Sequence, residues 1–228
     1  MRSLFVIVFL FIYSFIGISQ IIEDPNFAMA SHPMKVTKIE YLEIGTLIEL
    51  TIENQSPTGS FCADKNIFVQ DDLSGLKFKL ISSKGIPVCP ASYQFKQVGE
   101  LLKFQLYFPK ISPTIKYLTL VEDCDNYCFS IVGIILDNEF NKEINLGFEY
   151  YEKGKLDFAL AAFQQVIENH QDYPFGFLYY HVIQIYSEIG EMDKAKKWYN
   201  KLNNGLYIDK KQVLDRLKQQ SYYKQLIF

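Results

Sequence analysis

The sequence predicts a two-domain chain, all-β and then all-α: an antiparallel β-sandwich followed by a short array of helical hairpins with a C-terminal capping helix. Three observations predict it. Apolar and polar residues alternate in several short runs within 35–137, separated by Gly, Pro and Ser clusters. Beyond Glu139 the apolar spacing becomes helical. Within 146–202 one pattern is written twice, every position repeating after 36 residues. A period of this size belongs to stacked two-helix units that cannot bury their apolar faces alone.

The first 19 of the 228 residues read as a secretory signal peptide. Arg2 precedes an apolar stretch over 4–18, interrupted by Ser14 and Gly17, and small Ser19 follows. That stretch is shorter than the roughly 20 residues a bilayer-spanning helix needs, so cleavage before Gln20 is expected, with a retained signal anchor as the alternative. Residues 20–34 then read as a flexible entry segment, which contains His32. The 209 residues from Gln20 onward suffice for two cores.

The β-sandwich is assigned to 35–138. Ile48, Leu50 and Ile52 alternate with Glu49, Thr51 and Glu53; Leu76, Phe78 and Leu80 alternate with Lys77 and Lys79; Leu102, Phe104, Leu106 and Phe108 alternate with Lys103, Gln105 and Tyr107. Each run puts one face on a core. Further strands are expected at 36–42, 67–70, 115–121 and 129–136. The runs FQLYFPKI, YLTLVED and FSIVGIIL are similar to those of immunoglobulin-like modules in exported proteins. All four cysteines, Cys62, Cys89, Cys124 and Cys128, fall in this region, where export would let disulfides persist. Three pairings are possible. Cys124 with Cys128, closing a small loop, and Cys62 with Cys89, bridging two connections, is the favoured one. A zinc site is the alternative, although separations of three and 26 intervening residues are not those of a compact zinc knuckle.

The helical domain is assigned to 139–228. Leu146, Tyr150, Gly154, Asp157, Ala159, Phe163 and Val166 recur as Val182, Tyr186, Gly190, Asp193, Ala195, Tyr199 and Leu202. Leu146 and Tyr150 share a face of a first helix, and Ala159, Phe163 and Val166 a face of a second. The glycines suit a left-handed helix end, and the aspartates suit the start of the next helix. The segment NLGFEYYEKGKLDFALAAFQQVIENHQDYP resembles a tetratricopeptide repeat, and the resemblance spans about 140–203. Ile183 stands where the first copy has Gly147, and the period is longer than the family's usual 34 by two residues, which the hinge at 171–174 can absorb. Two repeats leave an open end. Val213, Leu214 and Leu217, at helical spacing, would cap it, with Tyr222, Tyr223, Leu226, Ile227 and Phe228 folding back as a tail.

Net charge is −3, and the part from Glu139 onward carries 12 basic and 12 acidic residues, so a nucleic-acid partner is not expected. No nucleophile elbow, phosphate-binding loop or H-E-x-x-H occurs, and neither a cofactor nor a catalytic set is expected. His170 reads as a capping or solvated residue and His181 as a helix-face residue. Asp71-Asp72 reads as a hairpin turn, whereas Glu122, Asp123 and Asp125 could offer oxygens to calcium. The repeat resemblance implies a concave surface made of Asn141, Ile144, Phe148, Tyr151 and Glu152, then Phe177, Tyr180, Gln184, Ser187 and Glu188. The basic residues of the family's carboxylate-binding groove are missing. The expected function is an exported, periplasmic or secreted, non-enzymatic interaction or scaffold protein of the cell envelope. It would bind a protein or peptide partner through these aromatics, with no stable membrane span once the leader is removed. The plainer reading of the groove is that Phe148, Phe177 and Tyr180 pack on the β-sandwich or the tail helix; the alternative function is a β-sandwich that recognises a glycan or small ligand, with structural helices.

Overall fold

Strand alternation and helical spacing become sheets and helices in the computed structural model, which describes residues 20–227. Residues 1–19, expected to be a signal peptide, and Phe228 lie outside the described residues. Twelve strands come first: β1 (Ile21–Glu23), β2 (Met29–Ala30), β3 (Met34–Tyr41), β4 (Thr46–Glu53), β5 (Ser60–Phe61) and β6 (Ile67–Asp71). Then follow β7 (Lys77–Lys79), β8 (Ser82–Lys84), β9 (Tyr93–Gln94), β10 (Leu101–Phe108), β11 (Tyr117–Glu122) and β12 (Ser130–Ile135). They form two five-stranded antiparallel sheets, β1-β3-β4-β10-β8 and β2-β12-β11-β6-β7, and a small β5-β9 pair. Ile48, Leu50, Phe104 and Leu106 of one sheet share a core with Val69, Leu118, Leu120 and Ile131 of the other. Period-two burial on each inner face is what holds the sheets together, because only that face removes apolar surface from water.

Two readings of this part change. The segment 20–34 is not a loose entry: β1 pairs with β3 and β2 with β12, so it closes one edge of each sheet. The Leu76/Phe78/Leu80 alternation yields only the short edge strand β7, with Leu76 exposed. Edge position explains this, since a strand paired on one side needs no continuous inner face.

Six helices follow: α1 (Asn138–Glu152), α2 (Leu156–Asn169), α3 (Phe177–Glu188), α4 (Met192–Asn204), α5 (Lys210–Lys218) and α6 (Tyr223–Ile227). Asp137 starts α1 by accepting from the N–H groups of Glu139 and Phe140. Gly154 and Gly190 both take positive φ, at 68° and 80°, where α1 and α3 end. Ala159 and Ala195 are buried, and Phe163 lies so close to Gly147 that a Cβ there would come within 2.6 Å of its ring. Asp157 and Asp193 sit in the first turns of α2 and α4, but neither helix has a side-chain cap. Leu146 is 43 % exposed, so it does not share a buried face with Tyr150. Val213 and Leu217 of α5 and Leu226 of α6 join the helical core.

Side chains from the β part enter the helical core directly. Tyr117 of β11 lies edge-on to Phe140 and Tyr173, and the Tyr173 hydroxyl donates to the Gly133 carbonyl at 2.9 Å. Buried Asn141 ties three elements. Its Oδ1 accepts from the Asn26 N–H at 2.7 Å, and its Nδ2 donates to the carbonyls of Ile135 and Asp137, both at 2.9 Å. Residues 24–28 thus form a strap between β1 and β2 that crosses the start of α1.

Candidate functional site

The strap also borders the helix face that carries the expected groove residues Phe148 and Phe177. Phe148 of α1 lies 4.9 Å, ring to ring, from His181 of α3, and Phe177 and Tyr180 flank the same imidazole. Further along, the Tyr151 hydroxyl donates to Glu188 Oε1 at 2.8 Å, while Gln184 Nε2 donates to both Tyr151 (2.9 Å) and Glu188 (2.8 Å). Arg216 of α5 places its guanidinium 4.0 Å from the centre of the Tyr180 ring. Between the strap and this layer lies a cleft of about 480 Å³, lined by Asp24, Asn26, Lys35, Phe148, His181 and Arg216, among others.

The structure sorts the ten groove positions into two groups. Asn141 and Ile144 are buried against the β part and the helical core, so neither is open to a partner. Phe177 and Tyr180 are buried too, packed on Tyr173 and beneath Arg216 respectively. The reason is the strap and the α5–α6 cap, which close the face from both ends. Phe148, Tyr151, Gln184 and Ser187 remain half-buried, and Glu152 and Glu188 are exposed. Helical periodicity could not reveal His181 as the centre of this layer or bring Arg216 and Lys35 to it. Both cations come from outside the repeat.

His181 is held well below its ordinary 6.5, at about 4, first by burial among rings and then by the Arg216 charge. A depressed histidine contributes stability that is present above pH 6.5 and is lost as pH falls toward 4. With allowance for its residual exposure, the loss amounts to about 2 kcal/mol. Asp72, pushed up by burial to about 6, acts in the opposite sense: its contribution is present below pH 3.8 and lost as pH rises through 6. Urea unfolding at pH 7.5 and 4.5 should therefore show the wild type losing about 2 kcal/mol more than His181→Gln between the two conditions. An equal loss in both would remove His181 as the acid-sensitive group.

Two further clefts among the described residues carry aromatic or cysteine linings. One, of about 540 Å³, is lined by Tyr179, Trp198 and Tyr207 with Glu168, Gln171 and Asn204 at its polar positions. The Tyr179 ring lies 5.5 Å from that of Trp198 and 5.0 Å from that of Tyr207, and Lys201 covers Trp198 at 4.1 Å. The other, of about 570 Å³, lies at one end of the β part, bordered by His32, Cys62, Cys89, Glu122, Cys124 and Tyr127. The cysteines form Cys62–Cys89 and Cys124–Cys128 disulfides, which leaves no thiolate for zinc. Glu122 accepts from the N–H groups of Asp64 (2.7 Å) and Phe129 (3.0 Å), one at each oxygen, so its carboxylate braces a loop instead of facing a cation. His170, at the end of α2, stacks on Phe140 at 3.8 Å and meets Glu143 at 2.9 Å. No family model matches the chain, and comparison with curated proteins and with solved structures finds no match either.

Proposed function

We propose that this is an exported, non-enzymatic interaction protein of the cell envelope, periplasmic or secreted, that holds a protein or peptide partner on the concave face of a tetratricopeptide-like hairpin pair. The β part, in this reading an immunoglobulin-like sandwich, serves as a rigid support. The observation that carries the reading is the cleft beside Phe148, where apolar rings, a guanidinium and a backbone strap converge on about 480 Å³. Partly buried aromatics beside a charged group are the usual energetic centre of a peptide-binding surface. Two disulfides are compatible with export, and among the described residues no helix is long and apolar enough to cross a membrane.

A photo-crosslinking residue placed at Tyr151 or Glu188 in the native cells tests the face, with the exposed Phe158 of α2 as control. A partner captured from Tyr151 and Glu188 but not from Phe158 is the expected result. The same species from all three positions, or none from Tyr151 and Glu188, would sink the proposal. A glycan or small ligand is the second reading. It is favoured by the Tyr179–Trp198–Tyr207 cleft, which would put the ligand on the helices and not on the β-sandwich. Absence of signal on a glycan array would remove the glycan form of that reading.

A further inference from the structure

The one arginine among the described residues, Arg216, lines the cleft beside Phe148, and no described acid is paired with it. The chain uses arginine only twice, at Arg2 and Arg216, and lysine for its other basic residues. Arg216 rests on the Tyr180 ring, yet among the described residues no carboxylate lies within ion-pair distance of it. The nearby acids are otherwise engaged. Asp215 pairs with Lys218 at 2.7 Å, and Glu188 accepts from Tyr151 and Gln184. Asp24, across the cleft, lies 4.0 Å from Lys35, so these two lining charges offset each other and the Arg216 charge is left over. An aromatic face fixes the plane of the guanidinium and leaves its N–H fork directed elsewhere, the arrangement that favours two-point recognition of a carboxylate. His181 is neutral near pH 7, so it adds no competing charge.

We propose that this cleft receives an acidic side chain of an extended peptide segment, its carboxylate paired with Arg216 and a neighbouring apolar side chain laid against Phe148. The inference rests on the concave face being the partner site, and it names the chemistry of that partner. Apolar lining and charge together select an Asp or Glu flanked by an aliphatic or aromatic residue, not a uniformly acidic tract. Repetition could not supply the cation, because Arg216 belongs to α5, outside both hairpins.

The test is selection of a random peptide library displayed on phage against the purified protein, alongside Arg216→Gln, Arg216→Lys and Phe148→Ala variants shown by circular dichroism to be folded. Enriched peptides are then measured by fluorescence anisotropy against counterparts with Glu or Asp replaced by Gln or Asn. The expected result is enrichment of an acidic residue beside an apolar one, with roughly tenfold weaker binding in Arg216→Gln and in the neutral peptide, not additive when combined. Arg216→Lys should recover only part of that loss, since an ammonium lacks the fork. Enriched peptides without an acidic residue, lost in Phe148→Ala but indifferent to Arg216→Gln, would overturn the acidic-partner inference while leaving the concave site standing. No enrichment on the wild type would overturn both.

Discussion

Gly133→Ala is expected to lower stability by about 3 kcal/mol, because backbone strain and overpacking act there together. Gly133 sits in β12 with φ +70°, where an alanine is strained by about 1 kcal/mol or more. A Cβ there would also come within 2.9 Å of the Phe175 ring, which is fully buried between the β part and the helices. The ring cannot swing away, because it packs on Tyr173, whose hydroxyl bonds the Gly133 carbonyl itself. Overpacking of this kind typically costs a further 1–3 kcal/mol, roughly. Gly99→Ala is the control: its φ is +82°, but nothing lies within 4 Å of the added methyl. Urea midpoints should separate the two by about 2 kcal/mol. Equal losses would mean that Phe175 yields and the joint is softer than its packing implies.

Replacing Cys62 and Cys89 together by alanine should cost about 3.5 kcal/mol, against about 2 for Cys124 and Cys128. The difference follows from the lengths of chain enclosed, sequence separations of 27 and 4, because a longer ring removes more freedom from the unfolded state. Local structure points the same way. The Cys62–Cys89 bond sits where Ala63 and Val88 form an isolated bridge and β5 pairs with β9, so it staples a segment with little regular sheet of its own. The smaller ring closes the turn between β11 and β12, and it carries Tyr127 at φ +59°, an unfavourable value for a side chain of that size. Chemical denaturation of the two double variants checks this. A Cys124/Cys128 variant as destabilised as the other would contradict a chain-entropy origin.

What could be read from the sequence was the local periodicity. Ile48, Leu50 and Ile52, or Leu102 to Phe108, announce a buried face because the signal lies in neighbouring residues, and Gly154 and Gly190 mark helix ends for the same reason. Residues whose partners lie far along the chain were opaque. Nothing near Asn26 says that it will bond Asn141, and nothing near Arg216 says that α5 will carry it to Tyr180. For the same cause the expected groove was drawn too wide. Ile144 and Phe177 have the spacing of groove residues, but the spacing does not state what will pack over them. Leu146 failed in the other direction, an apolar residue at a repeated position left on the surface.

The strap has a consequence for the timing of folding. Asn26 must wait for Asn141, 115 positions later, before its buried bond can form. During vectorial synthesis β1 can pair with β3, and β2 with β12, before α1 has emerged, but the strap between them stays untied until it has. Long-range closure of this sort slows folding. A chain stalled before α1 would therefore hold its strap by the sheet pairings alone, and completion of its first helix is the event that fastens it.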